Sequence, residues 1–346
     1  MKCSDDSPLP RVGVIGLGSM GRNHARIYHE MSAVRLVAVA DINEEASNAV
    51  ATRFNAIPYT NYMTMVDKEK LDIVSIAVPT GLHGEVAAKV IDCGVNLLIE
   101  KPLASSVREG ERIIRRAEKR NVRLGVGHVE RFNPVIMAMK QRMDEGFLGR
   151  VFQIIIRRAG PFPERIKDTG VILDLAIHDT DLMHYLIGSE IRRISSESGQ
   201  FIHDRYEDTA VSLLSFVNGV IGVLVENWIS PTKVRDITVN GENGTLCADL
   251  LTQDLFFYEN NYTESKWESL AAFRGVSEGN MTRFHLPRHE PLRRELESFV
   301  AAVACHEPFA VEGRDGLRAL KTVQRLLLVS QASKNRTKKT ETDKGE

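Results

Sequence analysis

Cysteine is scarce in this sequence. The 346 residues include four cysteines, at positions 3, 93, 247 and 305, and no two of them form a C-x-x-C motif. This wide spacing predicts neither a zinc site nor a disulfide framework. We therefore expect that the protein binds no metal and that its thiols are reduced. Reduced thiols and a polar first ten residues, unlike a secretory signal peptide, favour a cytoplasmic protein.

The chain also lacks an excess of one charge and any long apolar run. Lys and Arg total 45, Asp and Glu total 46, and the formal net charge is -1. This balance does not favour electrostatic binding to nucleic acid or to anionic lipid. No stretch approaches the ~20 consecutive apolar residues that cross a bilayer. We therefore expect no nucleic acid and no membrane as partners.

The first 130 residues alternate short aliphatic runs with amphipathic stretches, a pattern typical of βαβ units. Continuous apolar runs suit a parallel sheet that is covered on both faces. The pattern predicts an α/β fold with a doubly wound parallel sheet in a first domain, residues 1–130. The predicted strands are Val12–Ile15, Arg35–Ala40, Asp72–Val78, Asn96–Ile99 and Arg123–Val126. The predicted helices between them are Asn43–Phe54, His83–Asp92 and Val107–Arg120.

The pattern changes after Arg131. A predicted helix and strand lead, through a loop rich in Gly and Pro, to a helix from Val171 to about Ile187 and then to strands in series. Asn218-Gly219 between two of these strands is a strong hairpin signal. The region predicts a large, mainly antiparallel sheet in a second domain, residues 131–332. Two helices close it, and residues 333–346 lack apolar residues and are expected to be a disordered tail.

The first predicted strand leads into a glycine-rich motif. The segment Gly16-Leu17-Gly18-Ser19-Met20-Gly21 has the pattern G-x-G-x-x-G and opens a helix. In this context the pattern indicates a dinucleotide site, because the glycines allow a tight turn, approach of pyrophosphate and close helix packing. Asp41 ends the next strand and would accept hydrogen bonds from the adenosine ribose. Its charge repels a 2′-phosphate, and no arginine directly follows it, so the motif predicts NAD rather than NADP.

Two further strand ends should face the same crevice. The third strand is followed by Pro79 and Thr80, which we expect beside the coenzyme. The fourth is followed by Glu100-Lys101-Pro102, an unusual place for two charged residues unless they have a partner or a task. An ammonium group at Lys101 could donate to a substrate hydroxyl and stabilise a developing alkoxide. A surface ion pair at a turn is the alternative interpretation.

The second predicted domain contains candidate partners for Lys101. In the segment GVILDLAIHDTDLMHYL, Asp174 and His178 are four residues apart and therefore on one helical face. Histidine is well suited to accept a hydroxyl proton near neutral pH. Its pairing with a carboxylate favours catalysis over a role in the core.

Taken together, GLGSMG, Asp41, the E-K-P segment and the D-x-x-x-H pair resemble the glucose–fructose oxidoreductase/inositol dehydrogenase (Gfo/Idh/MocA) family. The resemblance covers about residues 10 to 330. It implies an N-terminal Rossmann domain and a C-terminal α/β domain whose open sheet forms a homodimer or homotetramer. It also implies that Lys101, Asp174 and His178 are the catalytic group, that Glu100 contacts the nicotinamide ribose, and that the Lys101-Pro102 peptide is cis.

Within this family, the segment from Gly127 to Pro134, GHVERFNP, resembles the branch that oxidises C3 of UDP-N-acetylglucosamine. Such enzymes prepare a 3-oxo sugar for a sugar aminotransferase, which is then a possible downstream partner. His128 and Arg131 could face the sugar nucleotide, and a packing cluster between domains is an equal alternative. A diphosphate needs cationic contacts, for which Arg158 and Arg165 are candidates, with Arg157 and Lys167 nearby.

The expected reaction moves a hydride from a sugar carbon to nicotinamide while His178 accepts the hydroxyl proton. Asp174 would orient the imidazole, and Lys101 would stabilise the oxygen. Lys101 could instead be the proton acceptor. The alternatives are an inositol or polyol dehydrogenase of the same family, an enzyme that recycles a tightly held coenzyme with a second substrate, and a dinucleotide-sensing protein without catalysis.

Overall fold

The computed structural model describes residues 8–163, 169–261, 277–305 and 307–342. The chain folds into two compact units, the first of residues 1–129 and 290–321 and the second of residues 130–289 and 322–346. The segment 290–321 therefore lies in the first unit, whereas the sequence assigned it to the second. The reason is apolar packing in the first unit, where a Cβ at Gly125 would lie 2.8 Å from the ring of Phe309 and 2.9 Å from the ring of Phe299.

The first unit is built on a parallel sheet in the order β3-β2-β1-β4-β5-β6. Its strands are β1 (Arg11–Ile15), β2 (Arg35–Ala40), β3 (Ile57–Tyr59), β4 (Ile73–Ile76), β5 (Asn96–Glu100) and β6 (Leu124–Gly127). Its helices are α1 (Ser19–Glu30), α2 (Glu44–Phe54), α3 (Tyr62–Glu69), α4 (His83–Asp92), α5 (Val107–Arg120) and α8 (Pro291–Ala304). The order, with its reversal between β1 and β4, is that of a doubly wound sheet.

Burial explains the parallel sheet. The central strands are apolar on both faces, and Val12, Val14 and Ile73 are fully buried. The three-residue strand β3 and helix α3 were not foreseen from the sequence. Strand β3 lies at the sheet edge, contains Pro58, and has two exposed residues, so it lacks the apolar run that marked the other strands.

The second unit contains a mixed, mainly antiparallel sheet in the order β14-β13-β12-β11-β7-β10-β9-β8. The strands are β7 (Val151–Pro161), β8 (Ile191–Gly199), β9 (Thr209–Phe216), β10 (Ile221–Asn227), β11 (Ile229–Gly241), β12 (Gly244–Asp249), β13 (Asp254–Asn261) and β14 (Ser277–Phe284). The predicted hairpin joins β9 and β10. Strand β7, first in sequence, inserts between β10 and β11 and runs parallel to β10, which a simple meander did not predict.

Helices α6 (Pro134–Asp144) and α7 (Ile177–Ile187) belong to the second unit, and α9 runs from Gly313 to Thr342. Helix α9 includes residues 333–342, for which the sequence predicted a disordered tail; residues 343–346 lie outside the described chain. The start of this segment is tied to the sheet, because the hydroxyl of Ser333 donates to Glu197 on β8.

No helix among the described residues is long and apolar enough to cross a membrane. In the same residues, no cluster of three or more His, Cys, Asp or Glu side chains is arranged to hold a metal ion. Cys93 and Cys247 are free thiols.

Candidate active site

The predicted coenzyme-binding residues lie at one edge of the parallel sheet. Because β1, β2, β4, β5 and β6 run in the same direction, their carboxyl ends meet at this edge. Gly16 follows β1, Asp41 follows β2, Glu100 ends β5, and His128 follows β6. Pro79 comes three residues after β4. The edge is where ligands bind in sheets of this type.

The glycine motif has the close packing that a dinucleotide site needs. Gly16 has φ +87°, and a Cβ there would lie 2.6 Å from the carbonyl oxygen of Ala77. A Cβ at Gly21 would lie 1.8 Å from the carbonyl oxygen of Gly16, so helix and turn are in direct contact. A Cβ at Gly18 would meet nothing within 4 Å. This open position, before a helix without a side-chain cap, fits the pyrophosphate of NAD.

Ser19 and Met20, the other two predicted residues of the motif, form the exposed first turn of α1. Their backbone N–H groups precede the first internal hydrogen bonds of the helix and are thus available to an anion.

Asp41 connects the strand end to the glycine loop. Its Oδ2 accepts a hydrogen bond from the backbone N–H of Leu17 at 2.6 Å, and its Oδ1 accepts one from Asn43 at 2.9 Å. The side chain is half-buried, and the next residue, Ile42, is 93% exposed. Each carboxylate oxygen keeps further acceptor capacity, which fits the ribose hydroxyls of NAD.

The ends of β4 and β5 carry the remaining coenzyme candidates. Pro79 is exposed, and Thr80 begins a short 3₁₀ turn, Thr80–Leu82. Glu100 and Lys101 are both half-buried, and the Lys101-Pro102 peptide is cis, as the resemblance implied.

Beyond β6, His128 is buried, with 1% of its surface exposed. It belongs to the first unit, whereas Arg131 belongs to the second. The two predicted substrate contacts therefore belong to different units.

In the second unit, Asp174 and His178 lie in one continuous helix whose first part is a π-helix. The π segment is Ile172–Ala176, and α7 follows it directly. Both side chains are half-buried. The sequence predicted the helix and the shared face but not the π geometry, which is rare and occurs frequently at functional sites.

The start of this helix is held by Glu207. The backbone N–H of Ile172 donates to its carboxylate at 3.2 Å, and the N–H of Val171 donates to its carbonyl oxygen at 2.9 Å. A Cβ at Gly170 would lie 2.2 Å from the same carboxylate, so glycine makes room for this contact. Glu207 thus satisfies N–H groups at the start of the helix that carries His178.

A buried charge cluster lies between α7 and the sheet. Arg158 on β7 is 3% exposed and donates to Asp179 at 2.9 Å and to Glu130 at 3.1 Å. Although burial lowers the pKa of Arg158, the two carboxylates outweigh this and raise it. Arg235 on β11 lies beside Arg158, and Glu226 on β10 lies on its other side.

The segment GHVERFNP contributes buried hydrogen bonds to the second unit. Arg131 forms a bidentate pair with Asp181, with N–O distances of 2.7 and 2.6 Å. The Asn133 side chain donates to the carbonyl oxygen of Leu250 at 3.1 Å. Within this unit, Arg131 and Arg158 thus hold carboxylates, and Arg165 lies outside the described residues.

The sequence did not predict a role for two residues near these sites, His24 and Glu226. His24 hydrogen-bonds Glu100, and its position three residues after Gly21, hence on the same helix face, could have indicated it. Glu226 shares the inward register of β10 with Gly222 and Leu224, so the alternation of the strand places a carboxyl group inside.

Family models match most of the chain. Residues 10–128 match an oxidoreductase family with an NAD-binding Rossmann fold. Residues 136–247 match the Gfo/Idh/MocA C-terminal domain.

Individual relatives span nearly the same length. The chain is 29% identical to UDP-N-acetylglucosamine 3-dehydrogenase from Acidithiobacillus ferrooxidans, over 90% of this chain and 94% of the relative. It is 26% identical to myo-inositol 2-dehydrogenase from Thermotoga maritima, over 90% of this chain and 93% of the relative. A solved structure of the first enzyme superposes with a TM-score of 0.83 at 28% identity, covering 94% of this chain and 99% of that one.

Proposed function

Because the chain belongs to the Gfo/Idh/MocA family of NAD-binding oxidoreductases, we propose that it oxidises the C3 hydroxyl of UDP-N-acetylglucosamine to the 3-oxo sugar. The observation that carries the substrate is the full-length similarity to the Acidithiobacillus enzyme in both sequence and structure. The segment from Gly127 to Pro134 supports the same branch. A sugar aminotransferase would then consume the product.

NAD, when bound, supplies the acceptor for the hydride that leaves the sugar carbon. The chain's own residues hold this coenzyme: the glycine motif accepts the pyrophosphate, and Asp41 accepts hydrogen bonds from the adenosine ribose. Pro79 and Thr80 border the coenzyme, and Glu100 accepts hydrogen bonds from the nicotinamide ribose. The short contact between Asp41 and Leu17 supports this assignment, since it fixes the carboxylate beside the glycine loop.

His178 takes the proton of the sugar hydroxyl as the carbon–hydrogen electron pair departs. Its Nδ1 is buried, so Nε2 is the nitrogen that we assign to the proton. Asp174, four residues earlier, orients the ring and stabilises its charged form. Lys101 donates a hydrogen bond to the same oxygen and supplies positive charge as the oxygen becomes alkoxide-like.

Among the predicted substrate contacts, His128 and Arg165 are retained in the proposal. For Arg131 and Arg158 we propose a structural role, because each forms buried ion pairs with carboxylates of its own unit. A guanidinium that is buried and paired in this way is not available to bind the diphosphate of the substrate.

We also propose a homo-oligomer that uses the outer face of the second sheet. Val211 and Leu213 on β9 are 48% and 51% exposed, and Ile221 on β10 is 47% exposed. These neighbouring strands present an apolar face, and contiguous apolar patches of this kind favour association. The oligomeric state is measured by light scattering coupled to gel filtration.

The second candidate is an inositol dehydrogenase, which the similarity to the Thermotoga enzyme favours. Substrate and base are tested together by following NADH formation with UDP-N-acetylglucosamine, UDP-glucose, UDP-N-acetylglucosaminuronate and myo-inositol. An aminotransferase with glutamate traps the 3-oxo product. Absorbance of the purified protein at the NADH band detects a coenzyme that stays bound between turnovers.

Activity confined to UDP-N-acetylglucosamine supports the proposal, and activity confined to myo-inositol contradicts it. Inactivity with all four substrates, despite NAD binding, favours a dinucleotide sensor. His178→Ala should lower kcat by about 10²–10⁴-fold, the usual range for loss of a general base. Lys101→Met provides the comparison: a proton acceptor must be deprotonated to act, so its pKa governs the fall of activity at low pH. If Lys101→Met abolishes this acidic limb of the pH profile and His178→Ala leaves it intact, Lys101 is the proton acceptor.

A further inference from the structure

His24 is a fully buried residue of helix α1, three residues after the last glycine of the coenzyme motif. Its Nε2 lies 2.9 Å from Oε1 of Glu100 at the end of β5. Within the part of the chain that the structure describes, Nδ1 has no hydrogen-bond partner. The hydrogen bonding of this ring is therefore directed at Glu100.

The carboxyl group of Glu100 is held on both oxygens. Oε1 contacts His24, and Oε2 accepts the backbone N–H of Lys101 at 3.3 Å. A Cβ at Gly127 would lie 3.3 Å from Oε1 and from the carboxyl carbon, so the neighbouring strand leaves just enough room for this group. The Glu100 side chain is 12% exposed. Its orientation is thus set by three neighbours, of which His24 provides the side-chain hydrogen bond.

The direction of that hydrogen bond follows from the charge of Glu100. Burial alone would raise the pKa of Glu100, but the His24 hydrogen bond, with the charges of His24 and Lys101, outweighs it and lowers the pKa. An ionised carboxylate can only accept hydrogen bonds. Nε2 of His24 therefore carries the hydrogen.

We propose that His24 is a positioning residue for coenzyme binding: it orients the Glu100 carboxylate so that the remaining acceptor sites face the nicotinamide ribose. The inference rests on the proposed function, which assigns that ribose to Glu100. His24 is buried and touches neither sugar nor coenzyme; it acts through Glu100. A ligand that lacks the nicotinamide half, such as AMP, should therefore bind independently of it.

The test compares binding of NADH and AMP by titration calorimetry to the wild type, His24→Leu and His24→Gln, each with and without Glu100→Gln. We expect His24→Leu to weaken NADH binding about tenfold, since a hydrogen bond to a charged group is typically worth that factor or more. His24→Gln, whose side-chain amide also donates, should retain most of the affinity. AMP binding should stay unchanged, and Glu100→Gln should abolish the effect of His24→Leu.

Two results overturn the proposal. One is an equal loss of NADH and AMP affinity in His24→Leu, which indicates a general structural role. The other is a loss of NADH affinity that persists undiminished in the Glu100→Gln background. If His24→Leu does not fold, His24→Asn, which keeps a polar side chain but is too short to reach the Glu100 carboxylate, must show the same selective loss. Because NADH binding requires no sugar, inactivity with every sugar contradicts the proposed substrate without affecting this test.

Discussion

Nδ1 of His83 lies 2.8 Å from the carbonyl oxygen of Pro102, the residue that follows Lys101. Its Nε2 lies 2.9 Å from the carbonyl oxygen of Val78, in the segment after β4. The ring is 1% exposed, and burial lowers its pKa more than the two carbonyl contacts raise it. One buried side chain therefore joins the two strand ends that carry predicted coenzyme contacts.

Replacement of His83 tests whether this connection positions Lys101. His83→Ala removes both contacts and leaves a small cavity, so we expect the free energy of unfolding to fall by about 2–4 kcal/mol. In the folded fraction, kcat should fall more than the KM for NAD rises. Urea unfolding and steady-state kinetics measure the two effects. Glu85→Ala, an exposed change on the same helix, should alter stability by at most ~0.5 kcal/mol. Wild-type stability and kcat in His83→Ala would show that the ring does not hold the segment.

Asp41 should set the choice between NAD and NADP. Asp41→Ser removes the carboxylate that repels a 2′-phosphate and that accepts hydrogen bonds from the ribose. We expect the ratio of kcat/KM for NAD over NADP to fall by about 10–100-fold, since placing like charges together costs several kcal/mol. The ratio is measured with the preferred sugar held constant. Asp41→Asn, which keeps the size but not the charge, is the matched control for loss of volume. A ratio unchanged in both variants would remove Asp41 from the coenzyme site.

Much of the first unit was predictable because local patterns determine it. Continuous apolar strands, the G-x-G-x-x-G motif and Asp41 each carry their signal within a few residues, and the family, the fold class and NAD binding are confirmed. The central position of β7 was not predictable in this way. Its pairing with β10 joins residues about 70 apart, and no short pattern specifies which strand inserts between two others.

The roles of individual arginines were equally hidden. Arg158 follows an apolar run beside a glycine-rich loop, which resembles the setting of an anion-binding cation. Its position in β7 turns it inward, where Asp179 and Glu130 contact it from segments 21 and 28 residues away. Alternation along the strand could have shown the inward direction, but the partners depend on how α7 packs on the sheet.

Arg131 provides a direct test of the structural role proposed for such residues. Arg131 and Asp181 expose 4% and 2% of their side chains, so Arg131→Met leaves a buried, unpaired carboxylate. We expect it to lower the free energy of unfolding by about 3–5 kcal/mol. The double change Arg131→Met/Asp181→Leu should recover most of this loss, because an apolar pair can replace a buried ion pair. Unaltered stability with a raised KM for the sugar would instead identify Arg131 as a substrate contact.

The fold disfavours ionisation of the buried acid Glu226. It is fully buried on β10, and neither carboxyl oxygen has a hydrogen-bond partner within the described chain. Burial and the nearby Asp179 raise its pKa well above the usual 4.5, and Arg158 offsets only part of this.

The raised pKa of Glu226 fixes the sign of a pH dependence. Below about pH 4.5 the carboxyl group is protonated in both states; above it, the unfolded chain releases the proton while the native protein keeps it. The native state then binds more protons, so its free energy of unfolding decreases as pH rises, by up to ~1.4 kcal/mol per pH unit. Glu226→Gln is neutral throughout and should remove this part of the slope, measured by urea unfolding from about pH 5 to about pH 8. Glu145→Gln, at an exposed position in the same unit, should keep the wild-type slope. Equal slopes for Glu226→Gln and the wild type would mean that Glu226 is already ionised in the folded protein.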